Sequence, residues 1–286
     1  MIFLIIFIAI LLLAIFLYLQ NNLIDVTKYR LKSENIINRI KIVQLSDLHS
    51  KSSEKILSVT KNQKPDIIVI TGDYINDKCK NKDKMLDFGK KLVEVCPVYY
   101  ITGNHERRLE NFDELMEDLR KIGFTVLLNE IATDRTNDNL IQILGLDENQ
   151  ANFEDYKARK NGTFIYKDMS PYFNRLDTKS GYKIVLSHFP ENFRAVAENN
   201  YEKYDFDLQL SGHAHGGQFK LPFIGPVFSP GQGLFPKYAQ GEHGDRPKLI
   251  VSRGIGNAEF PFRLFNHPEI NVITISKKIL QSKDCV

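Results

Sequence analysis

Ile40-Lys41-Ile42-Val43-Gln44-Leu45-Ser46-Asp47-Leu48-His49 is a short apolar run, rich in Ile and Val, that stops at an Asp-x-His pair. A run of this length bounded by polar residues reads as a buried strand. Asp47 and His49 then fall just past its carboxyl end, where open α/β sheets place their ligands. The pattern recurs. Residues 67–71 run into Gly72-Asp73, and residues 98–102 into Gly103-Asn104-His105-Glu106. Residues 183–186 run into Ser187-His188, and residues 207–211 into Gly212-His213-Ala214-His215. Five strand-like runs therefore end in His, Asp or Asn.

The 286 residues suffice for one large domain or two small ones, and 43% hydrophobic with 26% charged content is ordinary for a globular chain. A formal charge of +3 without long Lys or Arg runs argues against a groove for a phosphate backbone, so no nucleic acid is expected as a partner. Cys79, Cys96 and Cys285 are too few and too scattered for a disulfide framework or a thiolate zinc site. Nothing in the sequence names a protein partner.

The amino terminus differs in kind. Residues 1–19 carry no charge and are apolar all round, whereas a buried core helix would show an amphipathic stripe. About 20 such residues span a bilayer as a helix. A cleaved signal peptide would show a basic start and a small-x-small site, and neither is present. The segment reads as a single-pass anchor in the cell membrane. Lys28, Arg30 and Lys32 follow it, so the positive-inside rule leans toward a cytoplasmic domain.

Residues 20–25 read as a linker, residues 26–275 as the folded domain and residues 276–286 as a tail. Residues 26–31 alternate as a half-exposed strand does. Residues 52–62 and 82–95 read as helices, with Ile56, Leu57 and Val59 and then Met85, Leu86, Leu92 and Val93 facing the core. Residues 111–122 form the best-marked helix, with Asn111 as its cap and Glu114 where a capping-box acid stands. Strand and helix alternate here, which indicates βαβ units with parallel strands. Further on, residues 124–128, 140–144, 248–253 and 269–275 read as strands and residues 191–199 as a short helix. Residues 147–180 are polar and poorly periodic. The strands are too many for one sheet interleaved with helices, and two facing mixed sheets with helices outside fit better.

Imidazole and carboxylate bind Zn, Mn and Fe, and an amide oxygen suits the harder of these metals. Asp47, His49, Asp73, Asn104, His188, His213 and His215 offer seven donors, more than one ion takes, so two ions are the natural count. One carboxylate must then bridge them. In an extended segment residues i and i+2 point the same way, so Asp47 with His49, and His213 with His215, would each converge from one strand end. Gly72, Gly103 and Gly212 precede ligand positions and allow sharp turns there.

These motifs, in this order, resemble the calcineurin-like metallophosphoesterases. The resemblance rests on Asp47-Leu48-His49, Gly72-Asp73, Gly103-Asn104-His105-Glu106, His188 and Gly212-His213-Ala214-His215. Residues 221–225, 229–233, 252–256 and 261–263 look like the membrane-anchored bacterial phosphodiesterase branch of that family. The fold it implies is a four-layer α/β/β/α sandwich of two mixed sheets. It also implies that Asp47, His49 and His215 bind one ion, that Asn104, His188 and His213 bind the other, and that Asp73 bridges. His105 would stand near the phosphorus without binding metal. In many relatives a second Asp lies three residues after the bridging one and orients the catalytic His. Here that position is Asn76, with Asp77 next to it, so Asp77 or Glu106 is expected to substitute.

Two divalent ions, manganese first with zinc or iron as alternatives, would supply a bridging hydroxide, and protonated His105 would neutralise the departing alkoxide. The expected substrate is a phosphodiester, lipid-linked or related to the cell envelope. A phosphomonoesterase or protein phosphatase is the alternative. A non-catalytic scaffold would have lost ligand positions, and none is lost. Arg253 and Arg263, with Lys220 and Lys237, are candidates for a second phosphate or an acidic headgroup. Residues 219–238 are rich in Phe, Pro and Gly and read as a cover over the second sheet, with an apolar wall or membrane-contacting lip as the other reading. His243 and His267 lie outside the motifs and carry no assigned role.

Overall fold

The computed structural model describes residues 1–78, 81–148, 167–194, 200–257 and 260–278. Cys79, Cys285, most of the polar stretch 147–180, the second half of the helix expected over 191–199 and the end of the tail lie outside them.

In chain order the first elements are α1 (Ile2–Asn22), β1 (Asp25–Ser33), β2 (Ile40–Leu45), α2 (Glu54–Asn62), β3 (Ile67–Thr71) and α3 (Lys82–Val93). Then come β4 (Val98–Ile101), α4 (Asn104–Arg107), α5 (Phe112–Lys121), β5 (Thr125–Val126), β6 (Glu130–Asp134) and β7 (Ile141–Gly145). The remainder comprises α6 (Ser170–Asp177), β8 (Tyr182–Leu186), β9 (Leu208–Ser211), four two-residue strands, and three longer ones. The short strands are β10 (Lys220–Leu221), β11 (Gly225–Pro226), β12 (Phe228–Ser229) and β13 (Gly233–Leu234). The last three are β14 (Gly241–His243), β15 (Lys248–Val251) and β16 (Glu269–Lys277).

Two six-stranded sheets result, in the orders β1-β16-β2-β3-β4-β5 and β14-β15-β9-β8-β7-β6. β2 to β5 run parallel, as their crossover helices require, and β16 enters antiparallel to β2. β15, β9, β8 and β7 are parallel, with β14 and β6 antiparallel at the edges. Alternation along β2 explains the layers. Ile40 and Ile42 pack between the sheets with Ile184, Leu210 and Ile250, while Val43 and Leu45 face the helical side with Leu57, Met85 and Leu115. On the far face of the second sheet, Phe173 and Leu176 of α6 cover Leu144, Val185 and Leu249. Helices, sheet, sheet and helix make the four-layer sandwich, and both sheets read as continuous apolar runs because both faces are covered.

Several local expectations need correction. The helical residues continue through Asn22, so the linker shrinks from residues 20–25 to Leu23 and Ile24. The cause is docking: Gln20 Nε2 lies 3.1 Å from His267 Nε2, and Asn257 donates to Asn21 Oδ1 at 2.8 Å. Lys51 and Lys55 donate to the carbonyls of Asn21 and Asn22, satisfying acceptors that a helix C-terminus leaves open. The Asn111 side chain makes no cap bond, and Glu114 pairs with Lys82 at 2.7 Å instead. The strand expected over 124–128 is only two residues long, and the helix expected from Glu191 is a 3-10 turn, Pro190–Arg194.

Candidate metal centre

All the sequence-predicted ligands lie beyond the carboxyl ends of β2, β3, β4, β8 and β9. Parallel strands in both sheets bring these ends to one edge of the sandwich. The backbone there is not extended. Asp47, His49, Asp73, His213 and His215 all have φ between 46° and 65°, the left-handed region that non-glycine residues rarely adopt. The expected i, i+2 convergence from a straight strand end is therefore replaced by a string of tight turns. Such strain persists where surrounding bonds over-determine it. Here Asp47 N–H donates to Gly72 O at 3.0 Å, His49 N–H to Asp73 O at 2.9 Å and Ser50 N–H to Tyr74 O at 3.0 Å.

Close approach sets two glycines. A Cβ on Gly103 would stand 2.2 Å from Asp73 Oδ1, and one on Gly212 would stand 1.9 Å from Ser46 Oγ. Only hydrogen at these positions lets the loops converge.

The donor atoms meet in three overlapping groups, each within 4.8 Å of one another: Asp47 with His49 and His215, His49 with Asp73 and His105, and Asp47 with Asp73 and His188. Asp73 joins the two sides. Its Oδ2 lies 3.7 Å from His49 Nε2 and 3.5 Å from His188 Nε2. The Nε2 atoms of His49 and His215 face each other at 3.0 Å, and Asn104 Oδ1 lies 3.2 Å from His188 Nε2. His188 Nδ1 lies 2.8 Å from Thr71 O, an acceptor that takes the Nδ1 proton and leaves Nε2 facing Asp73 and Asn104. Backbone and hydroxyl donors hold the carboxylates: His213 N–H and Ser46 Oγ bond Asp47, and His105 N–H bonds Asp73 Oδ1 at 2.9 Å.

The electrostatics call for cations. Burial lowers His49 to about 4 and holds His213 and His215 well below the usual imidazole range, so all three stay neutral near pH 7. Burial raises Asp47 to about 6. Burial would also lower His188, but the Asp73 carboxylate beside it raises it to about 10. Two fully buried carboxylates beside the neutral imidazoles of His49, His213 and His215, with His49 Nδ1 making no hydrogen bond among the described residues, match the donor chemistry of divalent ions.

His105 stands beside this cluster, its ring edge-on to His49 at 4.5 Å between centroids. Its Nδ1 lies 2.9 Å from Asp77 Oδ1. Asn76 does not reach it: Asn76 Oδ1 accepts the Lys78 N–H at 2.8 Å. Glu106 is fully buried and accepts from the N–H groups of Asp73, Ile75 and Gly103, so it clamps the loop that carries Asp73. Burial raises its carboxyl to about 7.

The two arginines part company. Arg253 Nη2 lies 3.0 Å from Asp25 and 3.0 Å from Glu269, an ion-pair cluster that removes it from substrate contact. Arg263 is fully buried, donates to the carbonyls of Arg253 and Gly256, and stands 3.4 Å from His215 Nδ1, so it supports the site from behind. Lys237 lies over the Tyr238 ring. His243 meets Gln240 O, and His267 meets Gln20 and Asp25.

A cleft opens over the cluster, lined by Asp73, Asn104, His105, His213 and His215 and by residues the motifs did not mark: Arg108, Gln218, Phe228, Pro230 and Phe260. Arg108 was legible in principle, three residues after His105 and therefore on its side of a helical turn. Phe228 and Pro230 fall in the Phe-, Pro- and Gly-rich stretch 219–238, for which an apolar wall is one of the two readings.

A family model described as calcineurin-like phosphoesterase matches residues 40–217. An uncharacterized metallophosphoesterase of Aquifex aeolicus (strain VF5) is 31% identical over 285 residues, covering 95% of this chain and 99% of that one. Phosphodiesterase YaeI of Escherichia coli (strain K12) is 26% identical over 246 residues, 82% of each chain. Among solved structures, GAP50, the anchor in the inner membrane complex of Plasmodium, shares the fold with a TM-score of 0.50 at 12% identity, over 84% of this chain and 82% of that one.

Proposed function

The chain belongs to the calcineurin-like phosphoesterases, a family of metal-dependent phosphoester hydrolases, and on that premise we propose that it cleaves a phosphodiester with His105 as the acid. The observation that carries this is the position of Asp73 Oδ2 between His49 and His188. Asp47, His49 and His215 would hold one divalent ion, Asn104, His188 and His213 a second, and Asp73 would serve both. Manganese suits this mixture of imidazole, carboxylate and amide oxygen, with zinc or iron as alternatives. When bound, two such ions supply an activated water and neutralise charge on the phosphoryl oxygens.

The chain's own residues supply the rest. Asp77 holds His105 through Nδ1, so Nε2 is free to carry a proton to the departing alkoxide. The Asp77 carboxylate fixes the ring orientation. Arg108 lines the cleft as a cation near the phosphate position, while Phe228, Pro230 and Phe260 make an apolar wall. One cation beside an apolar wall fits a phosphate that carries a second, apolar substituent. The name of the Escherichia coli relative agrees with a diester.

α1 is long and apolar enough to cross a membrane. We read it as a single-pass anchor in the cell membrane, with the positive flank favouring a cytoplasmic domain. A reporter fused to the carboxyl end tests the side. The reaction is tested with full-length protein in detergent by comparing an aryl phosphodiester with its monoester, alongside His105→Ala. Diester preference with metals retained but turnover lost in the variant is expected. Monoester preference would move the substrate to a phosphatase class.

A further inference from the structure

Outside residues 1–23, every exposed large apolar side chain among the described residues except Ile37 lies between residues 221 and 235, on and just after the β10–β13 hairpins, or between residues 260 and 265. Phe223 is fully exposed, and Leu234 and Phe235 are 68% and 66% exposed, so the hairpin tips turn outward, while Tyr238 at the end of the stretch packs with Leu249 and Val251 as cover for the second sheet. The two segments form one surface. Lys220 N–H donates to Leu264 O at 2.9 Å, and the Phe219 ring stands 5.1 Å from Phe260 and 5.6 Å from Phe262. The same surface reaches α1, where Phe265 packs against Phe16 at 5.5 Å.

That last contact fixes the depth. At 1.5 Å per residue, the apolar residues 1–19 make about 28 Å of helix, close to the thickness of a bilayer's hydrocarbon core. Phe16 lies three residues, about 4.5 Å, inside the end of that stretch. With α1 across a bilayer, Phe265 would stand at the hydrocarbon edge, and the hairpins join it through the Lys220–Leu264 bond. Phe side chains mixed with Lys220 and Lys237 have the composition of an interfacial surface. Phe228, Pro230 and Phe260 belong to these same segments and line the cleft.

We propose that the hairpins and the 260–265 loop seat in the headgroup layer of the bilayer that α1 enters, so that the cleft takes an amphiphilic phosphoester from the lipid surface. The substrate part rests on the phosphoester-hydrolase reading of the site; the seating does not.

The chain contains no Trp, so a single Trp is a clean reporter. Full-length Phe223→Trp and Phe235→Trp would be reconstituted in phosphatidylcholine–phosphatidylglycerol vesicles, with Lys179→Trp, near the opposite end of β8 from His188, as the control. Blue-shifted emission quenched by lipids brominated high on the acyl chain is expected at 223 and 235 and absent at 179. Water-like emission at both lip positions overturns the seating. So does blue-shifted emission that brominated lipid leaves unquenched, which would mark a protein partner or a second copy of this chain. For the substrate, a Phe223→Ser, Leu234→Ser, Phe235→Ser variant should keep its rate on a soluble aryl diester and lose about tenfold or more on a diester presented in vesicles. Equal rates on the vesicle substrate overturn that part. Failure of the unmodified protein on the soluble diester would count against the hydrolase reading, while the quenching result stands independently.

Discussion

Asp77 Oδ1 lies 2.9 Å from Nδ1 of His105, whereas its neighbour Asn76 turns away to accept the Lys78 N–H. A carboxylate one residue along thus makes the contact to His105 that the Asn76 side chain does not, and on the proposed mechanism it would orient the ring. Replacing it removes the alignment.

Asp77→Asn should lower kcat by about 10- to 100-fold on an alkyl diester, toward the lower end of what a positioned acid contributes. The loss should be smaller on a nitrophenyl ester, whose leaving group needs less protonation. Metal content should not change. A uniform loss across leaving groups would mean that Asp77 acts on the fold and not on proton transfer.

Asn76→Ala is the paired control. It removes an exposed side-chain bond to Lys78, and its effect on kcat should stay within about twofold, the range of ordinary surface substitutions. A loss matching that of Asp77→Asn would return the orienting role to Asn76.

Gly103→Ala places a methyl group 2.2 Å from Asp73 Oδ1 and 2.6 Å from Asp73 N. Neither the carboxylate nor the loop can yield without moving the shared ligand. Overpacking of this kind costs about 1–3 kcal/mol, so thermal unfolding should shift downward and metal binding should weaken together. Unchanged metal affinity would show that Asp73 has room the structure denies it.

Cys96 tests the core far from the site. Burial, then the Asp66 carboxylate, raises its thiol from 9.0 to about 12. The folded thiol keeps its proton where the unfolded one has lost it. Its contribution to stability is therefore present below about pH 9 and declines as pH rises toward 12. In a Cys79→Ser, Cys285→Ser background, iodoacetamide should label the folded protein far more slowly than the urea-unfolded protein at pH 9. Equal labelling would contradict the burial of this thiol.

The strands and the convergence of their ends were legible because each apolar run ended abruptly in a residue with metal chemistry. The sandwich followed from counting strands against crossover helices. What escaped was set by contacts distant in sequence. α6 sits in a polar stretch where only Phe173 and Leu176 are fully buried, with Tyr172 partly so, too few to show a period. Asn111 and Glu114 carry the residues of a cap, but Lys82 on a neighbouring helix takes Glu114. Arg253 looked like a phosphate contact until Asp25 on the edge strand β1 and Glu269 on its neighbour β16 neutralised it. The left-handed turns at Asp47, His49 and His215 have no sequence signature, since such residues adopt them only under tertiary restraint. Choosing between Asp77 and Glu106 required knowing that Glu106 faces inward to three backbone N–H groups.

The central claim is that Asp73 serves two ions at once. Full-length protein purified in detergent without added metal would be assayed for metal per chain and for aryl diester hydrolysis, before and after chelation and manganese restoration, in parallel with Asp73→Asn. The account predicts two ions per chain, turnover that vanishes on chelation and returns with manganese, and a variant with fewer than two ions and no measurable turnover. An Asp73→Asn protein that holds two ions and turns over like the unmodified chain would contradict it.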